Sequence, residues 1–287
     1  MTAARYDDAW DCSPSGSTGG RPPPAGGPCA GALPNVVVIG AMKCGTSALH
    51  RYLDRHPQIA MSAPKELNFF FGPDARRHDR APPGHEDGRH GPVAWAGGNW
   101  HRGPAWYARH FPAGVPVRGE SSPGYTSPSH PGVARRMAAL IPDTRLVYLV
   151  RDPVERAISQ YRHHRRDGTE TRTLEQALLD PDSQYVSRGR YHERVAAFLA
   201  HFGRERITIV STEELLTERR TTLRSIARFV GVDEGLWSGD LERRCHVSWV
   251  QGPRPSRRLV DRLAEGLADD AERLRQLAGR EFPAWSV

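Results

Sequence analysis

The segment Val36-Val37-Val38-Ile39 is continuously apolar and β-branched, with no alternation between faces. A run of that kind reads as a strand buried on both sides of a parallel sheet. Gly40–Thr46 follows as a turn, and Ser47–Arg55 as a helix with Leu49, Tyr52 and Leu53 on one face. His56-Pro57 ends that helix, because proline disfavours helical geometry in the residue before it. Further short apolar runs predict strands at Ile59–Met61, Arg145–Val150 and Ile207–Val210. Helical spacing predicts helices over Val133–Leu140, Val154–Arg165, Leu174–Leu179, Tyr191–Phe202 and Thr221–Val230. The longest pattern covers 257–278, with Leu259, Leu263, Leu267, Ala271 and Leu274 on one face. Strands alternating with helices imply a single α/β domain, a parallel sheet flanked by helices with right-handed crossovers.

Two segments break the pattern. Residues 13–34 are more than half Pro or Gly, which predicts a disordered N-terminal tail over 1–34 and a folded domain over 35–287. Residues 72–104 are rich in Gly, Pro, His and Arg and predict a long loop, a candidate lid on the acceptor side, with order resuming at Trp106–Phe111. No apolar run approaches the ~20 residues that span a bilayer, and no export signal is visible. Cys12, Cys29, Cys44 and Cys245 have no paired spacing, so reduced thiols in a cytoplasmic protein are the expectation.

The 287 residues carry a formal charge of +7, and of 40 basic residues only Lys43 and Lys65 are lysine. Both fall in the segment richest in candidate chemistry. The excess of arginine, with abundant Ala, Gly and Pro, fits the codon bias of a GC-rich, bacterial genome. The arginines are scattered among acidic residues rather than grouped in runs, which weighs against a nucleic-acid or other polyanion-binding module.

The first strand runs into Gly40-Ala41-Met42-Lys43-Cys44-Gly45-Thr46-Ser47 and then a helix. Strand, loop and helix N-terminus are the context in which backbone N–H groups cradle phosphate; the other reading is a plain tight turn between strand and helix. The spacing Gly40-x4-Gly45 matches a Walker loop, but Thr46 occupies the position of the Walker lysine and a lysine stands instead at Lys43. A second constellation, Arg151-Asp152-Pro153, follows the Arg145–Val150 strand and opens a helix that carries Ser159. Arg151 suits a bidentate grip on phosphate at the carboxyl end of a parallel strand, and Ser159, two turns on, reaches the same anion. Asp152 and Pro153 also suit an N-cap and first helical position.

Together these motifs resemble the sulfotransferases that use 3′-phosphoadenosine 5′-phosphosulfate (PAPS). Ile39-Gly40-x-x-Lys43-x-Gly45-Thr46-Ser47-x-Leu49 is similar to their 5′-phosphosulfate loop, and Leu149-Val150-Arg151-Asp152-Pro153-x-x-Arg156-x-x-Ser159-x-Tyr161 to their 3′-phosphate motif. The heparan-sulfate-type branch (N- and 3-O-sulfotransferases) and its bacterial relatives are nearest. They are matched by Lys65-Glu66-Leu67-Asn68-Phe69-Phe70, Trp106-Tyr107, Glu120-Ser121-Ser122-Pro123-Gly124-Tyr125 and Gly189-x-Tyr191. Asn68 and Ser121 depart from that branch's histidine and lysine, and Gln251-Gly252-Pro253-Arg254 from its Lys-Gly-Arg loop.

The resemblance implies a P-loop nucleotide-kinase-like fold and PAPS as co-substrate, with no metal required. It implies Lys43 on the leaving phosphate, Gly45, Thr46 and Ser47 on the 5′-phosphosulfate, and Arg151 and Ser159 on the 3′-phosphate. Glu66 takes the general-base position, and Tyr191, Gly252 and Arg254 lie where the branch closes over the nucleotide. The implied acceptor is a hydroxyl of a small molecule, glycolipid or glycoconjugate. The alternatives are a P-loop-type kinase or NTPase with a variant loop, and a non-catalytic polyanion-binding module.

Several residues keep two readings. Phe69-Phe70-Phe71 favours core over an acceptor wall, and Lys65 is either an exposed partner of Glu66 or a second contact to the sulfuryl group. Glu120 either assists the base or pairs with an arginine. Trp95, Trp100 and Trp106 either stack on acceptor or anchor the loop. His163-His164-Arg165-Arg166 reads as a solvated cationic helix end, and His78, His85 and His90 lack metal-ligand spacing.

Overall fold

A computed structural model describes residues 32–72, 98–237, 241, 252 and 254–287. Most of the expected tail, the body of the long loop with Trp95 and its three histidines, and Cys12, Cys29 and Cys245 lie outside these residues. In chain order the elements are β1 (Val36–Gly40), α1 (Thr46–Leu53), β2 (Ile59–Met61), α2 (Gly103–Ala108), β3 (Val117–Ser121) and α3 (Val133–Leu140). They continue as β4 (Arg145–Val150), α4 (Pro153–Arg166), α5 (Leu174–Leu178), α6 (Gln184–Ser187) and α7 (Tyr191–Leu199). The last are β5 (Ile207–Ser211), α8 (Thr212–Thr217), α9 (Arg219–Val230) and α10 (Arg257–Ala278).

The strands form one sheet of order β2-β3-β1-β4-β5, and every pairing is parallel. β1 is buried along its whole length and β4 everywhere but Arg145, as continuous apolar runs in a doubly covered sheet require. The chain passes from β1 outward through β2 to β3 on one side, and then to β4 and β5 on the other. The order therefore reverses at β1, and the crevice beyond its carboxyl end is where open α/β sheets bind ligands.

Two apolar clusters hold the helices. The larger surrounds the sheet, and the smaller joins Val154, Ile158 and Tyr161 of α4 to Leu174 of α5 and Leu259 and Leu263 of α10. The buried face of α10 is Leu259, Leu263, Leu267, Ala271 and Leu274, as its spacing predicts. Ser256 caps its start by accepting from the Leu259 N–H at 3.2 Å, and Gly279, at φ 66°, ends it in the left-handed conformation. α4 begins as read from sequence: Asp152 Oδ1 accepts from the Glu155 N–H at 2.9 Å, and Pro153 takes the first helical position.

The expected boundaries need correction at two places. Pro34 is buried and Leu33 packs on the core while its carbonyl accepts from Arg118 Nε at 3.1 Å, so the last residues assigned to the tail belong to the domain. Residues 98–104, assigned to the long loop, enter a 3-10 turn and α2, because Trp100 packs 5.3 Å from the Phe69 ring and Asn99 N–H donates to Asn68 O at 3.0 Å. No helix among the described residues is long and apolar enough to cross a membrane.

Candidate active site

The loop after β1 is shaped by close packing. A Cβ on Gly40 would lie 2.4 Å from Thr126 Oγ1, so only glycine fits there. Gly45, at φ 84°, turns the chain into α1 without any side-chain cap. Ala48 and Leu49 N–H both donate to Gly45 O at 3.0 Å, which leaves the Thr46 and Ser47 N–H groups at the start of α1 available to an anion. Thr46 is buried, whereas Gly45, Ser47 and Lys43 are partly open. Cys44 turns inward: burial pushes its thiol up to about 11, which makes it a packing residue rather than a nucleophile.

β4 lies beside β1 in the sheet, and its loop is tied directly to the loop of β1. Ala41 N–H donates to Leu149 O at 2.6 Å. Thr212 Oγ1 lies 2.6 Å from Cys44 O and 2.8 Å from Val150 O, so its single proton serves both loops. Tyr191, at the start of α7, is wholly buried; its hydroxyl donates to Arg151 O at 2.8 Å and lies 3.5 Å from Cys44 Sγ. Tyr191, expected near the nucleotide, has no exposed surface here and braces the two loops through these contacts. Arg151 is partly open and only loosely held, with Nη2 at 3.4 Å from Glu155 Oε2, and Ser159 is partly exposed on the same helix.

Lys43 (φ 69°) meets a crowded field. Burial lowers its proton affinity first, Arg166 and Arg151 lower it further, and Asp167 alone opposes them. A lysine and two arginines gathered beside an uncapped helix N-terminus make a positive field of the kind that suits a polyanion.

Glu66 lies on the segment after β2, at φ 65°, with its carboxylate Oε1 bonded to Lys65 Nζ. Of the two readings of Lys65, the structure shows the pair with Glu66. His163, read from sequence as part of a solvated turn, lies within Coulombic reach of both Lys43 and Glu66. Its Nδ1 accepts from Arg166 Nη2 at 2.9 Å, its Nε2 faces Asp167 Oδ2 at 3.3 Å, and burial with the Lys43 charge lowers its pKa. Neutral His163 thus carries its proton on Nε2. His164 also departs from the solvated reading: it bonds the Tyr185 hydroxyl at 3.0 Å, and burial pushes it down to about 4. Only Arg165 and Arg166 of that cluster are exposed. The signal for His163 was its place one helical turn beyond Ser159, on the same face of α4.

Gly252 and Arg254 are exposed and line a cleft of about 910 Å³ along the outer end of α4, together with Arg162 and Arg166. Arg166 therefore belongs both to this cleft and to the surroundings of Lys43. Lys43, Glu66, Arg151 and Ser159 do not line it. Phe69, Phe70 and Phe71 are core, with Phe69 stacked on Tyr107 at 4.1 Å between ring centres. Trp100 and Trp106 pack on Phe69, as loop anchors do. Among the described residues Glu120 pairs with no arginine: it is fully buried and accepts from three hydroxyls.

Residues 34–237 match the family described as "Sulfotransferase family". The chain is 26% identical over 217 residues to bifunctional heparan sulfate N-deacetylase/N-sulfotransferase 1 of Caenorhabditis elegans, covering 70% of this chain and 22% of that protein. It is 25% identical over 246 residues to the human bifunctional heparan sulfate N-deacetylase/N-sulfotransferase 2, covering 73% and 25%. The chain thus spans about a quarter of the length of these curated relatives. A sulfotransferase from Alicyclobacillus acidocaldarius has a similar crystal structure, with TM-score 0.71 and 30% identity over 89% of this chain and 100% of that one.

Proposed function

Because the chain belongs to the sulfotransferase family, we propose that it transfers the sulfuryl group of PAPS to a hydroxyl of a small-molecule, glycolipid or glycoconjugate acceptor, with release of adenosine 3′,5′-bisphosphate. The observation that carries this reading is the convergence of Lys43, Arg151 and the open start of α1 at the carboxyl ends of neighbouring strands β1 and β4. One loop suits a 5′-phosphosulfate and the other a separate phosphate.

In this reading Gly45, Thr46 and Ser47 hold the 5′-phosphosulfate, and Arg151 and Ser159 hold the 3′-phosphate. Tyr191 acts as a positioning residue through Arg151, while Gly252 and Arg254 close the distal side. Sulfuryl transfer is in line and loose, so positioning and charge stabilisation are the main contributions. Lys43 stabilises the charge that develops on the bridging oxygen as the S–O bond breaks. Glu66 takes the proton of the attacking hydroxyl, and Lys65 and His163 set the charge around it. Lysine and amide donors supply the positive field. The unpaired spacing of the four cysteines is the basis for proposing a cytoplasmic location.

The experiment is calorimetric titration of adenosine 3′,5′-bisphosphate, AMP and ATP–Mg²⁺ against wild type and Arg151→Ala. Wild type is expected to prefer the bisphosphate without metal, and Arg151→Ala to lose that preference while binding AMP as before. Preference for ATP–Mg²⁺ would return the loop to a variant kinase site, and equal loss of both ligands would remove the 3′-phosphate assignment.

A further inference from the structure

We propose that Glu120 is a positioning residue, a buried carboxylate that holds two hydroxyls as acceptors for the backbone of the turn bearing Glu66; its catalytic consequence rests on the reading of Glu66 as the base. Glu120 is the fourth residue of β3, which lies between β2 and β1 in the sheet, and has no exposed surface. Its Oε1 accepts from the hydroxyls of Tyr107 and Tyr125, the latter at 2.7 Å, and its Oε2 accepts from Ser122 Oγ at 2.7 Å. Two of these hydroxyls are also acceptors. Ser122 Oγ receives the Asn68 N–H at 3.1 Å, and Tyr125 OH receives the Phe69 N–H at 2.9 Å.

A hydroxyl has one proton. With that proton committed to Glu120, the lone pairs of Ser122 and Tyr125 turn toward the Glu66–Phe69 segment. Donation to a carboxylate also strengthens a hydroxyl as an acceptor. The segment has reason to need such support, because Glu66 and Asn68 both hold positive φ, 65° and 49°, where side-chain-bearing residues are disfavoured. A further main-chain bond, Glu66 N–H to Ser121 O at 3.1 Å, comes from the same strand end. Tyr107 closes the arrangement from α2, with its ring on Phe69 and its hydroxyl on Glu120. Burial raises the proton affinity of Glu120, and the three hydroxyls and Lys65 oppose it.

The test compares wild type, Glu120→Gln, Glu66→Gln and the double variant. Ser122→Ala serves as a second probe, since it removes one hydroxyl link and leaves the carboxylate in place. Glu120→Gln puts an amide N–H₂ where a hydroxyl now donates, so at least one hydroxyl must reorient. Deuterium exchange of the peptide spanning 64–72 is expected to quicken about tenfold in Glu120→Gln and in Ser122→Ala, with other peptides unchanged. With octyl glucoside as test acceptor and release of adenosine 3′,5′-bisphosphate as readout, kcat should fall about tenfold at unchanged KM for PAPS. Added to Glu66→Gln, the Glu120 change should cost nothing more. Unchanged exchange in both probes, or losses that multiply in the double variant, would overturn the proposal. Wild-type kcat in Glu66→Gln overturns the reading of Glu66 instead, and the exchange result then decides separately whether Glu120 holds the turn.

Discussion

Lys43 is a lysine in a chain whose other basic residues are, with the exception of Lys65, all arginine, and its surroundings explain what a compact ammonium does there. Burial, Arg166 and Arg151 all disfavour its proton, so the free site holds Lys43 charged at a cost that a bound polyanion relieves. Lys43→Ala is expected to lower kcat about 10²–10³-fold, the usual effect of removing one donor from a developing oxyanion. Its melting temperature should not fall below wild type, since the change removes a charge that the free site holds at a cost. A pH dependence follows with a definite sign. The ammonium is present below the lowered pKa of Lys43 and lost above it, so bisphosphate affinity should begin to fall at a pH below the ordinary lysine value of 10.5. Calorimetry across alkaline pH checks this, and a curve with the same slope in Lys43→Ala would assign the titration to another group.

The elements act on these residues through the braces between them. β1 and β4 bring the two candidate phosphate loops side by side; beyond the strands Ala41 N–H still donates to Leu149 O, and Thr212 and Tyr191 join the loops further. Tyr191→Phe removes the donor to Arg151 O while keeping the ring between Tyr148 and Trp285. An orphaned buried acceptor costs about 1–3 kcal/mol. The expected result is a lower melting temperature together with several-fold weaker binding of the bisphosphate, read by calorimetry. Undiminished affinity would leave Tyr191 with a purely structural role. How legible these elements are in the sequence depends on what fixes each one. β2, α3, β4 and α10 fall where local periodicity puts them, because each buries a simple apolar face. β3 is not legible: Arg118 and Glu120 interrupt its pattern, and its central carboxylate is tolerated only because three hydroxyls from elsewhere satisfy it. α8 carries a readable signal in Ser211 with Glu214 three residues on, and Ser211 Oγ does accept from the Glu213 N–H at 3.2 Å. The two candidate phosphate loops show in local sequence because their residues are contiguous. The nearness of His163 to Lys43 and Glu66, and of Glu120 to the Glu66 turn, exists only after the sheet assembles.

At the scale of the molecule, the same packing that builds the site buries histidines far from their ordinary protonation. His50 bonds Ser121 Oγ at 3.0 Å across the α1–β3 contact, and burial with the Lys65 charge pushes it down to about 4. His164, between α4 and α6, is likewise at about 4. Unfolding returns each to the ordinary value of 6.5, so between 6.5 and 4 the unfolded chain binds more protons than the folded one. The stability these groups contribute is therefore complete above 6.5 and lost as pH falls toward 4. For His50 the full difference is on the order of 3 kcal/mol. His164 is more exposed and contributes less through solvent screening. Glu120 and Asp270, whose pKa values burial raises, act in the opposite direction at pH above the ordinary carboxyl range. The wild-type melting temperature is expected to fall steadily from pH 6.5 to 4. The variant His50→Asn/His164→Asn, which offers amides to Ser121 and Tyr185, should start lower and vary less. A wild-type curve that is flat across that range, or a double variant with an unchanged slope, would mean that the histidines do not set the acid limit of the fold.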